Sequence, residues 1–202
     1  MLGLKSFDPQ EEYILEDERV LLRPVKEEDW SNFANLPETS PEIWQYSLMA
    51  IQKTEDLNAY FQEAIITRKN GNSYAFIVFD KLTKEWVGCT RFYDIQLKYQ
   101  TTQLGYTWYK TSVWGTGLNA HCKFLLLQFA FDTMQLERVE FRADNDNKRS
   151  IAAMKKIGCT VEGVLRNHMP KPNGGRRDSI ILSILKEDWK NTLREKLKAQ
   201  LK

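Results

Sequence analysis

Cysteine and histidine are scarce in these 202 residues: Cys89, Cys122 and Cys159, and His121 and His168. The cysteines show no CxxC or other metal-ligand spacing. Their odd count reads as reduced thiols in a cytosolic protein, without a disulfide framework. With only two histidines, no metal site is expected. No apolar run approaches the ~18–20 residues of a membrane span. The opening MLGLKSFDPQEEY has neither a basic segment nor an apolar one, so a secretory signal is not expected. Neither sign of charge dominates, with Lys and Arg at 29, Asp and Glu at 27, and a net +2. That balance argues against direct nucleic-acid binding and against an anionic membrane surface. Repeats, low-complexity linkers and a G-x-x-x-x-G-K-[ST] phosphate loop are also missing. What remains is a chain long enough to bury a core unaided. It reads as one domain over 1–202, with 1–16 as an N-terminal extension and 186–202 as a charged C-terminal helix.

Patterning supplies the elements. ERVLLRPV (18–25) reads as a strand, and acids in KEEDW start a short helix over 27–36 that Pro37 follows. Residues 37–53 read as irregular and aromatic-rich. TEDLNAYFQEAIITRK (54–69) places Leu57, Tyr60, Phe61, Ala64 and Ile65 on one helical face, with Thr54 as N-cap and Gly71 as the stop. SYAFIVFD and WVGCTRFYDI form a hairpin, and TTQLGYTWYK (101–110) follows as a strand. A helix over about 118–134 comes next, then the strand RVEFRAD, a helix over about 147–157, and the strands CTVEGVL and RRDSIILSIL. Early antiparallel neighbours and a βαβ unit around 103–143 predict a mixed α/β (α+β) sheet, not a doubly wound one.

VWGTGLNAHCKFLLLQFAFDTMQ (113–135) carries the chemistry. Glycines at a helix start let backbone amides approach an anion closely, and a pyrophosphate is the natural occupant. The alternative is a tight turn that uses glycine for geometry alone. Gly115, Gly117 and Ala120 also match G-x-G-x-x-A, the dinucleotide fingerprint, with Asp144 near the end of the next strand. Three features weigh against a nicotinamide-binding oxidoreductase. A TSV spacer separates the glycines from the strand, several strands come earlier, and QLGYTWYK is not a buried apolar run.

The ordered set ERVLLRPVKEEDW, LGYTWYKTSVWGTG, RVEFRADNDNKRSIAAMKKIGC and VEGVLRNHMPKPNGGRRDSIILSILKEDW resembles the GCN5-related N-acetyltransferase (GNAT) superfamily, especially its RimJ/RimL-type branch, over residues 17–189. The resemblance implies a mostly antiparallel sheet of about seven strands. It also implies a splayed parallel pair that forms an acetyl-CoA cleft. The family loop [QR]-x-x-G-x-[GA] becomes Trp114-Gly-Thr-Gly117-Leu-Asn119, with Asn119 departing from Gly or Ala. Amides of Gly115, Thr116, Gly117, Leu118, Asn119 and Ala120 are implied to hold the pyrophosphate of coenzyme A. Backbone groups of Trp108, Tyr109 and Lys110 are implied to pair with its pantetheine arm as an added strand would.

The implied reaction is direct acetyl transfer from the thioester to a primary amine, without an enzyme-bound intermediate. Many family members place a tyrosine acid where this chain has Met154. The branch pattern Asn-x-x-Ser points instead to Asn147 as a coenzyme A contact and Ser150 as general acid, while helix capping explains the same pair. Base candidates are Asp94, Glu140, Asp144 and His168, the last in LRNHM, expected as a loop bordering the acceptor; a relay through water is the alternative. His121 reads as a packed side chain, and Cys122 and Cys159 as small core residues. The implied acceptor is a peptide N-terminus or a small amine, and a homodimer is left open. PEIWQYSLM (41–49) and KPNGGRR (171–177) are expected on the acceptor side, against core packing and solvated charge respectively. A non-catalytic acyl-CoA-binding module on the same fold is the competing reading, prompted by Met154.

Overall fold

A computed structural model describes residues 7–201, so residues 1–6 of the expected extension and Lys202 of the tail lie outside the described residues. In chain order it has β1 (Leu15–Glu16), β2 (Val20–Pro24), a 3-10 turn (Glu27–Phe33), α1 (Leu36–Thr39), a second 3-10 turn (Pro41–Trp44), α2 (Thr54–Lys69), β3 (Ser73–Asp80), β4 (Glu85–Gln96) and β5 (Thr101–Tyr109). Then come α3 (Leu118–Gln128), a π turn (Phe129–Thr133), β6 (Arg138–Asp144), α4 (Lys148–Lys156), β7 (Thr160–Pro170) and β8 (Arg176–Leu185). The tail forms α5 (Lys186–Asp188), a π turn (Trp189–Leu193) and α6 (Arg194–Lys198).

The eight strands make one sheet in the order β1-β2-β3-β4-β5-β6-β8-β7. Every neighbouring pair is antiparallel except β5 and β6. Both faces are covered. Leu57, Phe61 and Ala64 of α2 pack over Ala75, Ile77, Cys89 and Trp108. On the other face Leu118, Cys122 and Leu126 of α3 pack with Phe76, Val78, Phe92 and Phe141. Burial from both sides explains why β3 reads as the nearly unbroken apolar run SYAFIVFD. Trp189 and Leu197 of the tail join the α3 side, as does Phe7. Within the described part of the expected extension, Phe7 is therefore core, with Tyr13 and Leu15 packed against it.

Several local expectations need correction. The sheet has eight strands because β1, two residues long, is too short to show alternation. The helix expected over 27–36 is a 3-10 turn ending at Phe33, and α1 follows with Pro37 inside its first turn. Proline is tolerated there because a first-turn amide has no helical acceptor to lose. Thr54 does not cap α2. Lys53 holds the cap position, and the Thr54 hydroxyl donates to the Ala34 carbonyl at 2.8 Å. Gly71, at φ +74°, does follow the helix end. LRNHM is not a loop, since β7 runs on to Pro170 against β8.

Candidate active site

The site begins where two strands part. β5 and β6 pair only through Thr101, Thr102 and Gln103 against Arg138, Val139 and Glu140. Beyond Gln103 the register of β5 against β4 slips between Cys89 and Arg91, and Tyr106 takes a left-handed φ of +49°. Such a bulge bends its strand and increases the local twist. The Tyr60 hydroxyl, from α2, donates to the Tyr106 carbonyl at 3.2 Å. A gap therefore opens between β5 and β6, with unpaired main chain along one side.

The three backbone positions expected to face this gap do not all do so. The Lys110 amide donates to the Val87 carbonyl at 2.7 Å, towards β4. Strand alternation turns Trp108 the same way and leaves the Tyr109 N–H towards the gap. The Tyr109 carbonyl already accepts the Trp114 indole N–H at 3.0 Å. The Trp108 side chain is core, its ring 4.9 Å from those of Phe33 and Trp44.

The glycine loop lies at the mouth of the gap. Gly115 and Gly117 have φ of +77° and +88°, and a Cβ added to either would meet nothing within 4 Å. Close internal packing is therefore not what selects glycine here. Left-handed backbone and open space above it are. Gly117 is the N-cap of the 11-residue α3 and offers no side chain to its first amides, so Leu118 and Asn119 present theirs outward. Asn119 fits because its Oδ1 accepts the Tyr109 hydroxyl at 3.2 Å, turning its side chain towards the strand. Thr116 donates to the Val113 carbonyl at 2.9 Å, and Ala120 N–H to the Gly117 carbonyl at 2.8 Å. An open arc of amides at a helix N-terminus suits a diphosphate.

Across the mouth, α4 starts at Asn147, whose Oδ1 accepts the Ser150 amide at 3.0 Å. The capping role is thus realised, and it occupies that Asn147 oxygen. The Ser150 hydroxyl has no hydrogen-bond partner among the described residues and is half-buried. Met154 is buried in the core. Arg149 lays its guanidinium 3.5 Å over the Trp114 ring, so the two sides of the mouth touch. Sequence reasoning missed Arg149. A cavity of about 350 Å³ here is lined by Trp114, Asn147, Lys148 and Arg149, with Gln45 and Tyr46 opposite.

Lys123 was also missed. It projects from α3 beneath the gap, is 6% exposed, and donates to the Thr107 hydroxyl at 3.0 Å. Burial lowers its pKa to about 8. No carboxylate pairs with it among the described residues.

A second cavity, of about 170 Å³, adjoins the first through Gln45 and Tyr46. Tyr46, Ser47 and Leu48 form one wall, and Asp144, Lys171, Asn173 and Arg177 the other. The two segments expected on the acceptor side do meet, except that Trp44 is core. Among the base candidates only Asp144 lines this cavity, with Oδ2 3.3 Å from the Lys171 ammonium. Glu140 is held between Arg138 at 3.0 Å and Arg142 at 2.6 Å. Asp94 is exposed and accepts from Gln96 and Gln103. His168 stands one hydroxyl behind the cavity wall, its Nδ1 3.0 Å from Ser179 Oγ. Desolvation lowers its pKa, and the cations of Arg142, Arg177 and Arg176 lower it further. His121 is buried with Nδ1 2.8 Å from the Asp17 carboxylate. All three cysteines are buried, and burial raises Cys89 to about 11 and Cys122 and Cys159 to about 12, which rules them out as thiolate nucleophiles at neutral pH.

A mostly antiparallel sheet that splays at one parallel pair, with a glycine-opened helix at the mouth, defines an acyltransferase of the GNAT class. Residues 19–160 match the family model of the acetyltransferase (GNAT) domain, and the chain belongs to that family. Among its relatives is YoaA of Bacillus subtilis strain 168, an uncharacterized N-acetyltransferase, 27% identical over 175 residues that cover 86% of this chain and 97% of YoaA. The fold is shared with a GCN5-related N-acetyltransferase from Brucella melitensis (TM-score 0.86, 20% identity, 100% of this chain and 91% of that one). It is shared too with Mycobacterium smegmatis RimJ in complex with CoA-disulfide (TM-score 0.78, 20% identity, 95% and 94%). The GNAT fold uses acetyl-CoA as acyl donor, and the open amide arc fits its diphosphate.

Proposed function

We propose that this protein is an N-acetyltransferase that moves an acetyl group from acetyl-CoA directly to a primary amine. The observation that carries the reading is the gap between β5 and β6, opened by the bulge at Tyr106 and ending at the two left-handed glycines. Bound acetyl-CoA would supply an activated thioester carbonyl. Amides of Gly115, Gly117, Leu118 and Asn119 would hold its diphosphate, with Arg149 and Lys148 beside them, while the Thr116 amide is turned to the Val113 carbonyl. The Tyr109 N–H would align the arm in the gap.

The chain's own groups meet the remaining chemical demands. A backbone donor on the splayed strand stabilises charge on a carbonyl oxygen as an amine attacks. The unpartnered Ser150 hydroxyl donates towards a departing sulfur, while Met154 cannot. Asp144 draws the acceptor's ammonium group into the cavity and accepts a proton from it, directly or through water. The acceptor is a primary amine; a peptide N-terminus, as the RimJ/RimL resemblance implies, and a small amine are both compatible with this chemistry.

A thiol-release assay with acetyl-CoA across amines and peptides tests the proposal. Turnover with at least one amine is expected, and binding of acetyl-CoA without turnover of any amine would leave only a carrier-binding module. Ser150→Ala should cut turnover roughly 10- to 100-fold, at or below the low end of the ~10²–10⁴-fold of a general acid because a serine hydroxyl acts mostly as a hydrogen bond, with coenzyme A affinity unchanged. Wild-type turnover in that variant would remove Ser150 from the mechanism.

A further inference from the structure

The smaller cavity carries a charge that nothing among the described residues answers. Arg177 lines it and is 7% exposed. Its Nε donates to the Ser179 hydroxyl at 2.9 Å. Among the described residues no carboxylate lies within ion-pair distance of its guanidinium. A buried, unpaired guanidinium is costly, because desolvation is not offset by a counter-charge.

The charged and titratable neighbours do not neutralise it. Asp144, Tyr93 and Arg142 act on Arg177 electrostatically, and His168 shares the Ser179 hydroxyl with it. Asp144 attracts Arg177 from beyond ion-pair distance, but it is shared between two cations, with Lys171 at 3.3 Å, while Arg142 is paired with Glu140 at 2.6 Å. Neither Tyr93, a phenol whose pKa burial raises further, nor His168, whose pKa desolvation and the cations of Arg142, Arg177 and Arg176 lower, supplies a negative charge. Once the pairs cancel, one positive charge is left on the wall, and its planar fork matches a carboxylate.

We propose that the acceptor is a small amino acid-like molecule, a primary amine with a carboxylate close to it, whose carboxylate docks on Arg177 while its amine lies by Asp144. The reactive form of such an acceptor has its amine deprotonated and its carboxylate ionised. It brings the single negative charge the cavity lacks and a neutral nucleophile. The cavity's size agrees, since about 170 Å³ is below the ~300–1,000 Å³ of pockets that enclose drug-sized ligands. An internal peptide residue or a polyamine offers no carboxylate here. This inference rests on the N-acetyltransferase reading and narrows its acceptor.

The test uses the full chain with coenzyme A bound, its affinity measured first by calorimetry. Free L-amino acids, their carboxamides and tripeptide amides are then titrated and assayed for thiol release. At least one amino acid should bind and turn over, with its carboxamide weaker by roughly tenfold or more in KM, the loss expected when a buried charge loses its partner. Arg177→Gln should erase that preference, leaving the affinity for coenzyme A and the melting temperature of the free protein unreduced. Should Arg177→Gln fold poorly, Arg177→Lys keeps the charge without the fork and should show an intermediate preference. Carboxamides or tripeptide amides handled as well as free acids, or no amino acid bound while coenzyme A binds, would overturn the proposal. Failure of coenzyme A itself to bind would instead sink the acetyltransferase reading.

Discussion

Two cations, one beside the gap and one at the cavity, are buried, and they were the hardest residues to see in the sequence. Lys123 sits in NAHCKFLLLQ, where a lysine reads as the polar edge of a helix; it is buried with its ammonium against Thr107 of β5 and the Phe141 ring of β6. Arg177 stands in a run of charges that reads as solvated, and it too is buried. A lysine held at about 8 in the folded chain and near 10.4 in the unfolded one makes a signed prediction. Between those pH values the unfolded chain binds the extra proton, so this group's contribution to stability rises with pH. Below pH 8 its full cost is present, on the order of 3 kcal/mol. Urea unfolding of the wild type and Lys123→Met should therefore show a stability difference that shifts in favour of the wild type from pH 8 to 10. A pH-independent difference would mean that the ammonium is not desolvated. Gly117 gives a second prediction. Gly117→Val must place a β-branched residue at φ +88°, where space is open but the backbone is strained. A stability loss of about 1–2 kcal/mol is expected, with coenzyme A affinity falling much more than a fold-wide effect would explain. Calorimetry at a temperature where the variant is folded checks this, and an unchanged Kd would contradict the loop contact.

At the scale of elements the sequence was more legible. Long periodic stretches announced α2 and α3, and the unbroken apolar run announced β3, because burial leaves a regular imprint on many residues at once. The glycine pair announced the loop, because left-handed backbone has few other solutions. Short elements left no such imprint: β1 has two residues, and the turn-rich stretch before α2 is set by tertiary packing. The true span of β7 was hidden because its side chains are mostly exposed and carry no alternation. The bulge in β5 was invisible, since nothing in LGYTWYK marks Tyr106 for a positive φ. The approach of β4 to β5 offers an element-scale prediction. A Cβ on Gly88 would stand 2.2 Å from the Trp108 carbonyl oxygen and 3.0 Å from the Tyr109 Cα. Gly88→Ala must push the two strands apart at the wall of the gap. A loss of roughly 1–3 kcal/mol follows from overpacking, read as a lowered melting temperature together with weakened coenzyme A binding. A variant as stable as the wild type would show that β5 can shift freely.

At the scale of the whole molecule, the proposed donor site and the proposed acceptor cavity adjoin through Gln45 and Tyr46. α3 and the glycine loop approach from one face of the sheet, while the 41–49 segment and the β7–β8 turn close over the other. The proposed acid at the start of α4, the proposed base at the cavity wall and the proposed anion site before α3 come from separate elements, so only the family resemblance linked them before the fold was known. Ligand linkage predicts the global response. Acetyl-CoA at a hundred times its Kd should stabilise the protein by about 2.7 kcal/mol, raising the melting temperature by several degrees. NAD should raise it not at all, and a shift with NAD would revive the dinucleotide reading of Gly115, Gly117 and Ala120. The contact of Arg149 with Trp114 adds an optical consequence. A cation resting on an indole perturbs its emission, and a diphosphate arriving between them would draw the guanidinium away. With the other five tryptophans replaced by phenylalanine, the fluorescence of Trp114 would become a direct gauge of donor occupancy, readable in a stopped-flow instrument before any acetyl group has moved.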